Sequence, residues 1–470
     1  MFINNKYIII FSFFYLVVFP FLIRLYTVSQ VKKSIINKSN TELKTGVLIH
    51  NKEKSYSGVT MFTLFGGYVN EDGSKSNSLL IDENGKVINK WKIFGWPAQL
   101  FPGGYVLGTD KSCNSSVEDS HQEGCSVMKL DWEGNVLWEF NKWELDKNNN
   151  YISRSHHDIQ QNNYPAIYTP QEYPIASTSE KILILSHKNV LNENINPQPL
   201  EDDVLLEINK DGEILWKWIA SEHFNEFGFT NSMKEAIFNV KLIKSEFLAK
   251  NGYPNKFIDW LHINSASYLG SNLWYDNGDE RFNPENIMIS SRNGCFVAII
   301  NKETGKIVWQ IGPDYSNESE KIIGQIIGQH DVYIIPKGLP GEGNIIMFDN
   351  GGFSCYGTIL GRPTFPANFR DYSRIVEINP ITLKIVWEYL QLKSTDNTKK
   401  FFSWAMGSVQ RLPNGNTLIS EAMTRRIFEV TQNKEIVWEY IAPLPDNNLF
   451  LGDFIYNAYR YPEEWLPKED

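Results

Sequence analysis

Along the chain, an apolar alternation that ends in tryptophan returns six times: NGKVINKW ending at Trp91, EGNVLWEF around Trp138, DGEILWKW around Trp216, TGKIVWQI around Trp309, LKIVWEYL around Trp387 and KEIVWEYI around Trp438. In most copies a second apolar strand precedes it across a short polar turn, as in LLIDENGK, VLLEINKDGE, FVAIINKETGK and IVEINPITLK. β-Branched and aromatic residues alternate on both arms and Gly, Asn or Lys fills the turn, so each pair predicts a hairpin. A third strand lies upstream in GGYVLGTD, KILILSHK, NIMISSRN, GNIIMFDNG and GNTLISEAM. Three to four strands in each of about six units predict an all-β fold, a six-bladed β-propeller over residues 58–470. A β-sandwich does not account for that regular order. The tryptophans are expected to pack between neighbouring blades.

The tryptophans are unevenly spaced, which predicts long insertions between blades. One is legible: Ser232-Met233-Lys234-Glu235 reads as a capping box, Ile237, Val240, Phe247 and Leu248 follow at near-helical spacing, and Asn251-Gly252 closes it. The N-terminus differs in kind. Tyr7 to Leu22 is an uncharged apolar run between Lys6 and Arg24, so residues 1–30 are expected to form a membrane anchor, one transmembrane helix or an uncleaved signal, and the polar residues 31–57 a linker. Arg24, Lys32 and Lys33 after the run favour a cytoplasmic side for the C-terminal remainder of the chain, by charge alone.

Composition adds that the chain is globular: 42% hydrophobic, 14% aromatic and 21% charged leaves ample apolar surface for a core. A net charge of -10 with no basic run in the body excludes nucleic acid as an expected partner. Four cysteines are too few for a disulfide framework, but Cys113 and Cys125 flank a polar loop at a separation that suits a loop-closing disulfide.

The candidate chemistry lies in the histidines. Aligned on the upstream strand, His157 in SHHDIQQ, His262 in DWLHINSAS and His330 in GQHDVYIIP share one position of the repeat; its counterpart in SWAMGSVQ is Gly407, and in WPAQLFPGG it falls near Pro97. The first strand of a propeller blade lines the central channel, so matching positions on different blades converge. His50, His121, His187 and His223 are read as structural. In SHHD, strand alternation turns neighbours to opposite faces, so His157 is expected inward and His156 solvated or hydrogen-bonded. Three imidazoles could bind zinc, iron or copper, or could carry out group transfer with one neutral ring attacking. Asn264, Asn350, Arg292, Arg374 and Arg426 favour transfer of an anionic group, because guanidinium forks fit sulfate or phosphate oxygens. Accordingly, no metal is expected.

The combination of DWLHINSASYLG, SSRNGCFVAIINKETGKIVWQIG, GQHDVYII with GNIIMFDNGG, and SRIVEINPITLKIVWEY with LPNGNTLISEAMTRRIFEVT resembles the arylsulfotransferase family, from about Gly58 to the tail NAYRYPEEW. The resemblance implies a periplasmic or otherwise exported propeller that moves a sulfuryl group from an aryl sulfate to a phenol, with no nucleotide donor and no cofactor. A channel histidine is transiently sulfated in that family. His262 and His330 match its HxNS-like and QHD-like motifs, Asn350 its FDNG motif and Arg374 its SR motif. This chain departs in one respect: no histidine follows His330, and the later blade carries Gly407. The resemblance therefore implies His330 or His262 as nucleophile with His157 beside them, and Arg374, Asn350, Asn264, Arg292 and Arg426 around the sulfuryl group. Two alternatives remain: a quinone- or metal-dependent propeller, suggested by TGKIVWQIG, and a non-catalytic binding propeller tethered to a membrane.

Overall fold

A computed structural model describes residues 45–70, 72, 74–110, 123–146, 148–161, 181–242, 257–392, 400–443 and 454–468. The chain divides into two units, Met1–Thr45 and Gly46–Asp470. The expected anchor over residues 1–30 and the pairing of Cys113 with Cys125 lie outside the described residues. Among the described residues no helix is long and apolar enough to cross a membrane.

The second unit is the predicted propeller. Six antiparallel sheets follow one another, each running from an innermost to an outermost strand. Blade 2 is Phe94–Phe101, Tyr105–Asp110, Ser126–Leu130 and Val136–Phe140. Blade 3 is Ser155–Gln161, Lys181–Val190, Leu200–Asn209 and Ile214–Ile219. Blade 4 is Ile263–Tyr268, Ile287–Ser291, Phe296–Ile300 and Ile307–Ile311. Blade 5 is His330–Ile334, Ile345–Asp349, Arg374–Ile378 and Ile385–Tyr389. Blade 6 is Ser408–Arg411, Thr417–Glu421, Arg426–Val430 and Ile436–Ile441. Blade 1 closes the ring with a strand from the far end of the chain: Ile455–Tyr461 pairs with Val59–Val69, which is followed by Lys75–Ile81 and Val87–Trp91.

Apolar residues of adjacent blades interlock. Leu107, Val127 and Phe140 of blade 2 pack with Ile184, Val204 and Leu206 of blade 3, for example. Burying each such side chain contributes about 1.5–3 kcal/mol. The repeated tryptophans add a second closure. Indole Nε1 of Trp91 donates to Asp131 O (3.1 Å), Trp138 to Lys210 O (2.7 Å), Trp309 to Pro380 O (2.9 Å), Trp387 to Gln432 O (2.9 Å) and Trp438 to Glu83 O (2.8 Å). Each acceptor sits in the turn before the outer strand of the next blade, so every tryptophan clamps its neighbour. In blade 3 the donor is Trp218, to Gly305 O at 2.9 Å, in place of the repeat tryptophan Trp216.

Three expectations are corrected here. Gly46–His50, within the stretch expected as a polar linker, is a strand on the outer edge of blade 6. The insertion helix is capped by Thr230, whose side chain accepts from Met233 N, in place of the expected Ser232 box, and its described part spans Asn231–Asn239; Phe247, Leu248 and Asn251-Gly252 lie outside the described residues. Finally, the chain carries a disulfide that composition did not suggest, Cys295–Cys355, joining the turn of blade 4 to the excursion after Asn350 in blade 5.

Candidate functional site

The innermost strands have no backbone partner on the channel side, and side chains supply the missing hydrogen bonds. Asp158 Oδ2 accepts from Ala266 N, Ser265 Oγ from Val332 N, Asp331 Oδ2 from Val409 N and Ser408 Oγ from Ala458 N, each reaching from one blade to the next. The shared Asp of SHHD and QHD is thus part of the channel wall. Burial pushes the Asp331 carboxyl up to about 7 and that of Asp158 well above the ordinary range.

The pairing register fixes which residues are equivalent. Gln161, Tyr268, Ile334 and Arg411 all face the start of their second strands. Counting back, His157, Asn264, His330 and Gly407 share one position. The blade 2 counterpart is Trp96, one residue before Pro97. His262 is therefore not equivalent to His157 and His330, as the sequence alignment suggested; it lies two residues earlier. It nevertheless reaches the same volume: the rings of His157 and His262 are 4.6 Å apart between centroids, and His330 interacts electrostatically with both. His157 and His262 both adopt left-handed backbone, φ 52° each. For a non-glycine residue that conformation is costly and recurs at functional sites.

The same backbone decides between the two expectations for His156, which is hydrogen-bonded and not solvated. Between Ser155 and Ile159 the register slips through a bulge, so strand alternation is lost where the two histidines sit. Their Nδ1 atoms lie 2.9 Å apart, and His156 is fully buried, neither solvated nor on the opposite face.

His330 has a defined tautomer. Its Nδ1 is 3.0 Å from Gly328 O and 2.8 Å from Asn350 Oδ1. A carbonyl only accepts, and the Asn350 amide nitrogen is already donating to Ser403 O (2.8 Å) and Met406 O (2.7 Å), which leaves its oxygen toward the ring. Nδ1 therefore carries the proton and Nε2 the lone pair, which accepts from Met406 N at 3.3 Å. Burial, then the Arg292 guanidinium, pushes the imidazole down to about 3, so it is neutral at ordinary pH. Asn350 serves the histidine; its donors are spent on backbone.

The arginines separate. Arg292 sits in the turn between the second and third strands of blade 4, partly exposed, and donates to Asn293 Oδ1 (3.1 Å) without a carboxylate in ion-pair contact among the described residues. Burial lowers the Arg292 guanidinium from its ordinary value, and Asp259, whose Oδ2 is 2.5 Å from His262 Nδ1, opposes that from further away. Arg374 and Arg426 instead open the third strands of blades 5 and 6. Arg374 donates to Asp349 (2.8 Å), Glu388 (3.1 Å) and Ile323 O (3.0 Å), and Arg426 to Glu439 (2.6 Å) and Glu421 (3.3 Å). Both are held in buried ion pairs within their own blades, so the expected contact with a sulfuryl group gives way to a structural role. Asn264 donates to Gln329 O (2.7 Å), and its Oδ1 is buried without a partner, so it offers the site an acceptor.

Gly407 accounts for the missing later histidine. At φ 105° its Cβ would lie 2.7 Å from Ser420 O and 3.0 Å from the Phe348 ring, so no side chain fits. The sequence reading passed over Asp259 and Gln329; an acidic residue three positions before His262 was the available signal for the first.

Residues 119–442 match the family model described as arylsulfotransferase (ASST). No curated protein matches the chain. Among solved structures, a protein of unknown function from Bacteroides caccae is 10% identical over 86% of this chain and 98% of its own, with TM-score 0.40. Virginiamycin B lyase from Staphylococcus aureus, in a catalytically inactive form with quinupristin, is 14% identical over 85% and 88%, with TM-score 0.34. A putative 6-phosphogluconolactonase from Bacteroides fragilis is 12% identical over 86% and 97%, with TM-score 0.34. Likeness at that level carries no functional argument.

Proposed function

Because the chain belongs to the arylsulfotransferase family, we propose that it moves a sulfuryl group from an aryl sulfate to a phenol through His330. The observation that supports this reading is the tautomer of His330, neutral with its lone pair on Nε2, which gives up the Met406 N–H bond when it attacks. Nε2 attacks sulfur, the sulfur–aryl oxygen bond breaks, and the phenolate leaves with the bonding electrons. Arg292 balances the charge on the sulfuryl oxygens. His262 is the group placed to hand a proton to the leaving phenolate and take one from the incoming phenol, whose oxygen then displaces His330 from sulfur, while His157, held neutral by burial and then by the His262 ring beside it, positions the phenol. No metal or cofactor takes part in these steps.

The reading extends to location. An exported propeller, anchored by the N-terminal apolar run and working in the periplasm or outside the cell, agrees with the Cys295–Cys355 disulfide, since such bonds persist in oxidising compartments. The test is turnover of nitrophenyl sulfate with phenol by the purified protein and by His330→Ala. Nitrophenol release that needs His330 is expected. No release above control across a panel of aryl sulfates would overturn the enzyme reading and leave a binding propeller.

A further inference from the structure

The side-chain bonds between first strands carry the register count on to blade 1. In blades 3 to 5, the side chain one residue past the shared position accepts from the amide two residues past it in the next blade. Ser408 Oγ accepts from Ala458 N in the same way, at 2.9 Å, which places Tyr456 level with His157, Asn264, His330 and Gly407. The ring of positions therefore has an imidazole and amide side on blades 3 to 5, while blades 1 and 2 carry the aromatic residues Tyr456 and Trp96 there.

Tyr456 belongs to a cluster that touches both histidines. Its ring lies 6.1 Å from that of His157 between centroids, and its hydroxyl donates to His157 O at 2.9 Å. Phe65 is 6.2 Å from Tyr456 and 5.0 Å from Phe94, the latter edge to face at 87°. Phe94 and Tyr456 are buried, Phe65 and Met406 pack partly buried against them, and the group is separate from the cores between blades. Met406 N donates to His330 Nε2. Irregular backbone delivers these side chains. Phe65 lies where the pairing of Val59–Val69 with Lys75–Ile81 slips between Thr63 and Tyr68, and Phe94 opens a slip that ends at Gln99. Met406 is left-handed, at φ 58°. Bulges re-aim side chains beside active sites, and left-handed backbone is costly for a non-glycine residue. Packing alone does not call for three such departures, because regular alternation fills the cores of the same blades.

We infer that Phe65, Phe94, Met406 and Tyr456 form the subsite for the aromatic ring of the substrate, that donor and acceptor use it in turn, and that it selects uncharged phenols. The inference rests on sulfuryl transfer through His330. A ring against these side chains brings its ester or hydroxyl oxygen beside His157 and His330. Transfer breaks the sulfur–oxygen bond of one phenol and forms that of another with the histidine between them, so the leaving and entering rings occupy one place. Aromatic faces and a flexible thioether pack well on a flat ring. The four side chains carry one hydroxyl and no charge, and the hydroxyl is committed to His157 O. A charged substituent on the ring would lose its water there with no partner in exchange.

The test is calorimetric binding of 4-ethylphenol and 4-hydroxybenzoate by the purified protein, which needs no turnover. The wild type is expected to bind 4-ethylphenol at least tenfold more tightly than the carboxylate. Phe65→Leu and Phe94→Leu, which stay apolar, should each weaken 4-ethylphenol by roughly threefold to tenfold, the worth of an aromatic contact, while circular dichroism keeps the β signature. The same variants should raise KM for nitrophenyl sulfate and for phenol by a common factor, a shift that a merely structural role would not produce. Wild type that binds both compounds equally would overturn the proposal, as would folded variants that bind 4-ethylphenol as tightly as wild type, and neither result would touch the chemistry at His330. Weakened binding in the variants with no turnover by the wild type would uphold the ring subsite and remove the sulfuryl transfer alone.

Discussion

Replacing Arg374 by Met separates a structural arginine from a substrate-binding one. Arg374 makes charge-assisted bonds to Asp349 and Glu388 and a third to Ile323 O, at 2.8, 3.1 and 3.0 Å, with its side chain 11% exposed. Removing one member of a buried ion pair costs about 3–5 kcal/mol, because the other charge is left unpaired. Asp349 keeps Arg370 at 2.6 Å and Ile327 N at 2.9 Å, so the cost should fall at the lower end, about 3 kcal/mol. Urea unfolding should show that loss as a lower midpoint, while the KM of the folded variant for nitrophenyl sulfate stays within about twofold of wild type. Arg292→Met should do the reverse. Its guanidinium makes one side-chain hydrogen bond, to Asn293, so stability should change little, and kcat/KM should fall on the order of 10²–10³-fold. An Arg374→Met protein of unchanged stability whose kcat/KM collapses would refute the assignment of Arg374 to the blade and return it to the substrate.

Three further outcomes rest on the same contacts. His330, held at about 3, should remain unprotonated in the fold at pH 5, whereas the unfolded chain takes up the proton below about 6.5; its burial therefore lowers stability as pH falls from about 6.5 toward 3. Ring-nitrogen NMR of histidine-labelled protein checks this, and a His330 ring titrating near 6.5 would contradict it. The Cys295–Cys355 bond closes 60 residues, so a Cys295→Ser, Cys355→Ser double variant should lose about 4 kcal/mol in the same urea experiment, and an unchanged midpoint would contradict that estimate. Gly407→Ala should lower stability by about 1–3 kcal/mol, because its Cβ would meet Ser420 O and Phe348, and a neutral substitution would show that the backbone there can yield.

The propeller was legible because the strand alternation and the tryptophan recur with the fold's own period. In five of the six blades the repeat tryptophan clamps the next blade, and in blade 3 Trp218 does so two residues on, so the signal repeats. The closing strand Ile455–Tyr461 was not read, since it belongs to blade 1 but lies at the other end of the chain. The site was legible only in outline. His157 and His330 do share a repeat position, but His262 reaches them from two residues upstream through a left-handed backbone, and linear alignment carries no record of such a bulge. Arg374 and Arg426 looked like anion ligands because their type and position fit; the partners that occupy them, Asp349, Glu388, Glu421 and Glu439, stand on neighbouring strands. His156 was assigned outward by an alternation that the bulge cancels.

The central claim is that His330 Nε2 takes the sulfuryl group. Rapid quenching of the protein with a nitrophenyl sulfate and no acceptor, with peptide mass spectrometry under mild alkaline conditions, tests it directly. One sulfuryl group is expected on the peptide that carries His330, discharged by added phenol and absent from His330→Ala. A stable adduct on His157 or His262 with none on His330 would contradict it.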